Sequence, residues 1–234
     1  MKKTFALILT AILALAAICA TAEGTVPVQT QTDIENNAQY WREVLQGYRN
    51  DDSVQQVLCI RYIDGWNALT QFYQKLPEEG NAWTLVFEDN SYVGKSGMGK
   101  TKEGDAKTPV GDFGVRSAFG IRSNPGTALN YIQVLDSTYC CGCDQYYNQI
   151  IDAIETGHAC PDDGKEMFIY SPEYNYGLEI TYNNDNVVGL GSALFIHCKG
   201  AKPFTGGCVA LDEDHMRQVI EMAQPGMRVV MGYN

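Results

Sequence analysis

Short apolar or alternating runs separated by turn signals fill the chain from about residue 53 to its end. Alternation with a period of two is typical of half-buried strands, and the Asp-Gly and Glu-Glu-Gly sequences between the runs predict tight turns. The predicted strands are VQQVLCIRYI, NALTQFYQK, NAWTLVFED, residues 131–135, GLEITYNN, SALFIHC and residues 227–231. This pattern predicts a mostly β fold, a sandwich or open barrel, with a few helices.

Two segments have the 3.6-residue period of amphipathic helices instead. Residues 33–49 begin with Asp33 as a cap, and their apolar stripe consists of Ile34, Ala38, Trp41, Leu45 and Tyr48. Residues 212–223 begin with Asp212, and their inward face consists of Met216, Val219, Ile220 and Ala223. We expect both to be packing helices, the first of them a short N-terminal helical segment.

The first 22 residues have the features of an export signal. Lys2 and Lys3 precede an apolar run at residues 5–18, and Ala-Thr-Ala at residues 20–22 fits the cleavage rule. We therefore expect a signal peptide at 1–22, a leader and helical segment at 23–52, and one strand-rich domain at 53–234. The mature protein is expected to be secreted, without stable membrane insertion, because the run is short for a span. Lipidation at Cys19 is the alternative, although the bulky Ile18 precedes it.

The charge of the chain excludes some partners. The 234 residues carry a formal net charge of −11 at pH 7, which argues against binding to nucleic acid or to an anionic membrane surface. Cysteines lie at positions 19, 59, 140, 141, 143, 160, 198 and 208. Seven cysteines remain after loss of Cys19. Disulfides form in an oxidising compartment, and pairing of an odd number of cysteines leaves at least one free thiol. Our interpretation is that Cys208 is kept for chemistry.

A histidine and a cysteine near the C-terminus form the strongest chemical candidate. The predicted buried strand SALFIHC ends at His197, a loop of small residues follows, and Cys208 opens the next apolar stretch. If the loop folds back, the imidazole can take the thiol proton and the thiolate can attack a carbonyl. Gly206 and Gly207 let successive backbone N–H groups turn towards one point, where they could hold an oxyanion.

These residues also carry a family resemblance. The stretch GSALFIHCKGAKPFTGGCVAL resembles the active-site signature of the L,D-transpeptidase (YkuD-like) catalytic domain, a His, a loop, then Ser/Thr-x-Gly-Cys. Here the signature reads His197 and then Thr205, Gly206, Gly207 and Cys208. Upstream, EGDAKTPVGDFGVRSAFG is similar to the family's Gly-Asp-x-x-Thr-Pro-x-Gly-x-Phe segment. The resemblance runs from about residue 53 to the C-terminus.

The resemblance implies a function on peptidoglycan stem peptides. Cys208 would attack the bond before the terminal D-residue of a tetrapeptide, form a thioester, and pass the acyl group to an amine of a neighbouring stem. His197 would be the base and then the acid, and the Gly207 and Cys208 amides would hold the oxyanion. Thr205 and Gly206 would contact the substrate. No metal and no cofactor is implied.

The sequence departs from the commonest family pattern at three positions. Gly206 stands where many members have a second His, Ala210 and Leu211 stand where Arg or Asn often follows the Cys, and Cys198 replaces a frequent Ser. The second departure removes the usual partner of a substrate carboxylate. Lys199, with Lys202 nearby, is our candidate for the missing positive charge.

Two other clusters have alternative interpretations. Glu103, Asp105 and Lys107 form either a rim of the substrate groove or a turn closed by Thr108 and Pro109. Residues 140–161 hold Cys140-x-x-Cys143 and His158-x-Cys160, which have zinc-ligand residue types. We expect disulfides there, because of the secretion signal and the cysteine count, in a local insertion that could cover the site. Cys59 and Cys198 are either disulfide partners or buried thiols, and Cys198 should face away from His197.

Other functions remain open at this point. L,D-carboxypeptidation would use the same acylation with water as acceptor. A non-catalytic wall-binding module would keep the fold without using Cys208. An interaction protein centred on residues 140–160 would depend on disulfides or zinc and not on the thiol–imidazole pair.

Overall fold

The structure, a computed structural model, describes residues 31–161, 165–167 and 170–233. The expected signal peptide at 1–22, with Cys19, and the leader up to residue 30 lie outside these residues. So do the side chains of Asp33, Ile34 and Ala38. Within the described chain no helix combines the length and apolarity that a membrane span needs.

Helices and strands follow the hydrophobic pattern closely. The helices are α1 (Gln31–Gly47), α2 (Ala153–Thr156) and α3 (Glu213–Met222). The strands are β1 (Gln56–Asp64), β2 (Asn67–Leu76), β3 (Ala82–Tyr92), β4 (Gly111–Gly120), β5 (Tyr131–Gln133), β6 (Thr138–Cys141), β7 (Gln149–Asp152), β8 (Lys165–Met167), β9 (Gly177–Ile180), β10 (Phe195–Cys198), β11 (Val209–Leu211) and β12 (Arg228–Gly232). The prediction of a mostly β fold with few helices is confirmed.

Hydrogen bonding closes the main sheet into a barrel. Among the described residues its strand order is β12-β1-β2-β3-β11-β10-β9-β4-β5, and β12 also pairs with β4. The ladder therefore returns to its first strand, with β5 as an extra strand on β4. Pairs β1–β12, β10–β11 and β4–β5 are parallel, and the other pairs of this sheet are antiparallel. Closure removes the exposed edges that an open sheet would present.

The barrel interior holds the main core, and α3 packs on it. Met216, Val219 and Ile220 of α3 are fully buried in this core, as the helical period predicted. On another side, α1 places Trp41 and Leu45 against β1. The Nζ atom of the buried Lys75 donates hydrogen bonds to two carbonyl oxygens of the turn after α1, which fixes this helix to the barrel.

A small second sheet covers part of the outer face of the barrel. It has the order β7-β6-β8 in the described residues and comes from the cysteine-rich segment. Phe119 and Phe195 on the outer face of the barrel pack against Cys140 of β6 and Val134. The hydrophobic pattern did not predict these three strands, because their sequences TYCC, QIID and KEM do not alternate between apolar and polar residues.

Candidate active site

Strand pairing brings His197 and Cys208 to one face of the barrel. Strands β10 and β11 run parallel with His197 opposite Ala210. Residues two apart in a strand share a face, and so do paired residues of neighbouring strands. Cys208 comes immediately before β11 and packs in the same outer cluster as Phe195, which shares the face of His197. Both side chains line one cavity of about 420 Å³ on the outer face.

The imidazole of His197 is held in the tautomer that a base needs. Its Nδ1 atom lies 2.8 Å from the carbonyl oxygen of Cys198. A carbonyl oxygen can only accept, so Nδ1 carries the proton and Nε2 keeps a lone pair. Burial lowers the pKa of His197, and the hydrogen bond to Cys198 and the negative Glu173 oppose that change only in part. The side chain is therefore neutral at pH 7.

Backbone groups fix the thiol of Cys208. Its Sγ atom lies 3.2 Å from the Ala193 carbonyl oxygen and accepts the Phe195 N–H at 3.4 Å. The edge of the Tyr174 ring meets the His197 ring, with centroids 5.3 Å apart and planes at 61°. These contacts restrict both reacting groups to the floor of the cavity.

Two threonines bind the loop that precedes Cys208. The hydroxyl of Thr205 accepts the Gly207 N–H at 3.1 Å and donates to the Cys208 carbonyl at 2.7 Å. The hydroxyl of Thr108 is fully buried, accepts the Gly94 N–H and donates to the Gly207 carbonyl at 2.8 Å. Thr108 thus connects the two sequence motifs, which lie about a hundred residues apart. Sequence reasoning placed Thr108 in a motif and at the close of a turn, but it did not find this contact with the Cys208 loop.

Glycine is required at position 207. Its φ is +149°, and a Cβ there would lie 2.8 Å from the Lys107 carbonyl oxygen. We expect Gly207→Ala to lower the free energy of unfolding by about 1–3 kcal/mol through backbone strain. Gly206→Ala is the matched control, since a Cβ at Gly206 meets nothing within 4 Å. Urea unfolding measures both, and equal stabilities of the two variants would contradict the assignment.

The walls of the cavity contain both charges and an aromatic ring. Its lining includes Lys100, Glu103, Glu173, Ser192, Lys202 and Phe204. Glu103 accepts hydrogen bonds from Tyr147 at 2.5 Å and from Ser192 at 2.8 Å. Asp105 instead closes a turn, where it accepts from Lys100 and three backbone amides. Both interpretations of this loop therefore apply, the rim to Glu103 and the turn to Asp105.

The structure brings Lys202 to the cavity but not Lys199. The ammonium of Lys199 pairs with Asp89 at 2.8 Å and with Asp212 at 2.9 Å, and it lines a separate cavity of about 390 Å³. His215 also contacts Asp89 and stacks on Phe87. The expectation that Lys199 meets the substrate does not fit this position, because its charge is already compensated. Lys202 is exposed at the mouth of the cavity with Cys208.

The Asp89 carboxylate should make stability depend on acid pH. Burial opposes ionisation, but hydrogen bonds from Lys199, His215 and the Asp212 amide prevail and lower the pKa of Asp89. Its stabilising effect is present above the ordinary pKa of about 4 and is lost as pH falls through the lowered folded value. We expect Asp89→Asn to lower the free energy of unfolding at pH 7 by about 1–3 kcal/mol. The difference from wild type should shrink below pH 4 in urea titrations, and a constant difference would contradict this.

The remaining cysteines of the barrel are buried thiols. Cys198 lies inside the barrel, on the face opposite His197, and burial raises the pKa of its thiol to about 12. Cys59 packs under α1, where burial raises the pKa of its thiol as well. The two residues lie in different hydrophobic clusters, one under α1 and one in the barrel core, which favours buried thiols over a disulfide between them.

The comparison with protein families decides the classification. The model of the YkuD L,D-transpeptidase catalytic domain matches residues 79–231, which is more than half of the chain. The chain belongs to the YkuD family. The matched residues include His197, Cys208 and Thr108, and thus all the loops that form the cavity floor. Members of this family act on peptidoglycan stem peptides.

Solved structures similar to this YkuD domain share low sequence identity with it. The helical cell shape determining protein Pgp2 from Campylobacter jejuni, as a mutant, is 19% identical with a TM-score of 0.43, over 82% of this chain and 55% of that chain. An Enterococcus faecium L,D-transpeptidase mutant is 13% identical with a TM-score of 0.38, over 76% and 50%. Mycobacterium tuberculosis L,D-transpeptidase 1 is 13% identical with a TM-score of 0.33, over 76% and 63%.

The chain spans little more than half the length of the first of these structures. A search of curated proteins found no match.

Proposed function

We propose that this protein is a secreted peptidoglycan L,D-transpeptidase that cross-links stem peptides through a thioester on Cys208. The observation that carries the proposal is the placement of Cys208 and His197 on one face of paired strands, around one cavity. The histidine is neutral, and its Nδ1–H donates to the Cys198 carbonyl, so the lone pair that a thiol nucleophile requires lies on Nε2. No metal or organic cofactor takes part in this chemistry.

In the proposed acylation step, the peptide bond before the terminal D-residue is exchanged for a thioester on Cys208. The Nε2 atom of His197 takes the Sγ proton of Cys208, and the thiolate attacks the carbonyl carbon before the terminal D-residue. The imidazolium then gives its proton to the departing amine. The C–N bond breaks, the D-residue leaves, and the acyl group stays on Cys208 as a thioester.

In the second step an amine from a neighbouring stem replaces the thiol. His197 takes a proton from this amine, the amine attacks the thioester, and the Cys208 thiolate is released and protonated. The new peptide bond is the cross-link. Water in place of the amine would give L,D-carboxypeptidation instead, with no other change in the residues involved.

Backbone amides beside Cys208 are our candidates for holding the oxyanion of both tetrahedral intermediates. We assign the Cys208 amide as one donor and the Gly207 amide as the second. In the resting protein the Gly207 N–H donates to the Thr205 hydroxyl, so it would have to leave this partner to reach the oxyanion. Thr205 and Gly206 line the same cavity, where we propose that they contact the stem peptide.

Lys202 is our candidate for recognition of the substrate carboxylate, in place of Lys199. An exposed ion pair contributes about 0.2–1 kcal/mol, so we expect Lys202→Met to raise KM for a tetrapeptide by up to about 5-fold with little change in kcat. Lys102→Met is the matched control, because Lys102 is equally exposed but does not line the cavity. A KM that responds equally to both substitutions would contradict the assignment.

Product analysis tests the function itself. The purified protein is incubated with tetrapeptide muropeptides, and products are separated by chromatography and identified by mass. Cross-linked dimers support transpeptidation, whereas tripeptides without dimers would replace it by carboxypeptidation. Binding to peptidoglycan sacculi without any product, unchanged in Cys208→Ala, would replace the enzyme by a non-catalytic wall-binding module.

A further inference from the structure

Strand alternation separates the two adjacent cysteines of β6. Cys140 points to the barrel and packs with Phe119 and Phe195. Cys141 points the other way, to the side of Cys160. The cysteine that belongs with Cys143 is therefore Cys141, and not Cys140 as the Cys-x-x-Cys spacing indicated. The catalytic mechanism proposed above uses none of the residues on this far side.

Four metal-ligand side chains converge there. The Sγ atoms of Cys141, Cys143 and Cys160 and a ring nitrogen of His158 all lie within 4.8 Å of one another. Cys141 Sγ is 3.5 Å from His158 Nε2 and 3.4 Å from Cys160 Sγ, and Cys143 Sγ is 2.7 Å from Cys160 Sγ. Tetrahedral zinc would place its ligands at S–S distances of about 3.8 Å and S–N distances of about 3.6 Å. An ion would need Cys143 and Cys160 to separate by only about 1 Å.

The surroundings of the cluster suit thiolate ligands. The Cys143 backbone N–H donates a hydrogen bond to Cys141 Sγ at 3.3 Å. Such N–H groups stabilise negative charge on sulfur. The hydroxyl of Tyr139 donates to the His158 carbonyl and accepts the Cys160 N–H, which fixes the loop after α2 that holds both residues. These contacts all lie within the small sheet and the loop after α2, and none of them involves a strand of the barrel.

A disulfide explains this cluster less well than a metal does. A disulfide would join two of the three sulfurs, and it would not explain why the third sulfur and the imidazole of His158 lie beside them. A Cys₃His set uses all four groups, and soft thiolates with one imidazole in tetrahedral array favour zinc. Another group, Asp89, Asp212 and His215, also has ligand types, but the ammonium of Lys199 already lies between its two carboxylates.

We propose that Cys141, Cys143, His158 and Cys160 form a structural zinc site. It would close the small sheet and the loop after α2 into one unit, in a segment that supplies little apolar core of its own. The proposal does not depend on the catalytic function. It also revises our sequence-based preference for disulfides among these three cysteines.

The site would also support one wall of the catalytic cavity. The Cys141 carbonyl accepts the Asn148 N–H at 2.9 Å, and the Asn148 side chain accepts the Ala193 N–H at 3.1 Å. Ala193 is the residue whose carbonyl meets the Cys208 thiol. Next to Asn148, Tyr147 hydrogen-bonds to Glu103 of the cavity rim. Zinc would thus fix the turn that holds both residues against the cavity.

Metal analysis of the whole purified protein tests the proposal. The protein is purified without chelator, and zinc is measured by inductively coupled plasma mass spectrometry. We expect about one zinc per chain, and a large loss of zinc in both Cys143→Ser and His158→Ala. Cys59→Ser is the matched control, since Cys59 is a buried thiol away from the cluster, and it should keep its zinc. Replacement by Co²⁺ should give the strong visible absorption of tetrahedral thiolate coordination, without relying on a variant.

Three results would contradict the zinc site. Protein without stoichiometric zinc, unable to take up Co²⁺ after reduction, would overturn the proposal. So would a Cys143–Cys160 disulfide, seen as a mass 2 Da below that of the reduced chain in the non-reduced protein. Zinc that stays bound in His158→Ala and Cys143→Ser alike would show that the ion lies elsewhere. Each of these results leaves the proposed role of Cys208 unaffected, because muropeptide products are measured independently.

Discussion

Replacing Cys208 with alanine is expected to reduce kcat/KM for a tetrapeptide donor by about 10³-fold or more, because no other group can form the thioester. The side chain is small and partly exposed, and its hydrogen bonds at the floor of the cavity are with the Phe195 N–H and the Ala193 carbonyl. The variant should therefore unfold at nearly the wild-type urea concentration. Release of the terminal D-residue, followed by coupled oxidation, measures the rate.

Cys59→Ala is the control for loss of a thiol as such. Cys59 is 1% exposed and packs under α1, away from the cavity. This variant should keep most of the activity while losing some stability through the cavity it creates. If Cys208→Ala remained active, or if both variants lost activity equally, a mechanism through the Cys208 thioester would be wrong.

The second large effect is expected at His197. Loss of a general base costs about 10²- to 10⁴-fold, so His197→Ala should lower kcat/KM by that factor. His197→Asn is the sharper variant, because its amide can keep the hydrogen bond to the Cys198 carbonyl but has no basic nitrogen. We expect it to fold like the wild type and to be as inactive as His197→Ala.

The pH dependence gives this prediction a direction. His197 must be neutral to accept the thiol proton, and burial lowers its pKa, so the base works at any pH above that lowered value. Wild-type alkylation of Cys208 should therefore remain fast below pH 6.5, the ordinary pKa of histidine. In His197→Asn the rate should rise only towards the ordinary thiol pKa of about 8.5. Identical pH profiles of the two proteins would exclude His197 as the base.

Much of the barrel could be predicted from the sequence, since its longest strands show a clear period of apolar and polar residues. The runs that became β1, β2 and β3 have nine to eleven residues each, and α3 buries the residues that its period selected. The strands of the small sheet, TYCC, QIID and KEM, do not alternate between apolar and polar residues. Nothing in the sequence could therefore tell that Cys141 and not Cys140 faces Cys143.

The candidate site was predictable where a motif fixes it and unpredictable where the fold brings distant residues together. The proximity of His197 and Cys208 could be predicted, because the two residues lie at the ends of two successive strands joined by one loop. Lys199 and Lys202 lie in the same loop, and the sequence does not show which of them reaches the substrate. The path of the loop after β10 decides this, because it brings Lys199 to Asp89. The role of Thr108 depends on a contact across about a hundred residues, which no local pattern contains.

Mass spectrometry of the intact protein after brief incubation with a tetrapeptide muropeptide, or with a carbapenem as a stable acylating agent, tests the central claim most directly. We expect one covalent adduct per chain, located on the peptide that contains Cys208, and its absence in His197→Asn under the same conditions. An adduct on a different cysteine, or equal labelling of Cys208 without the imidazole, would contradict the account.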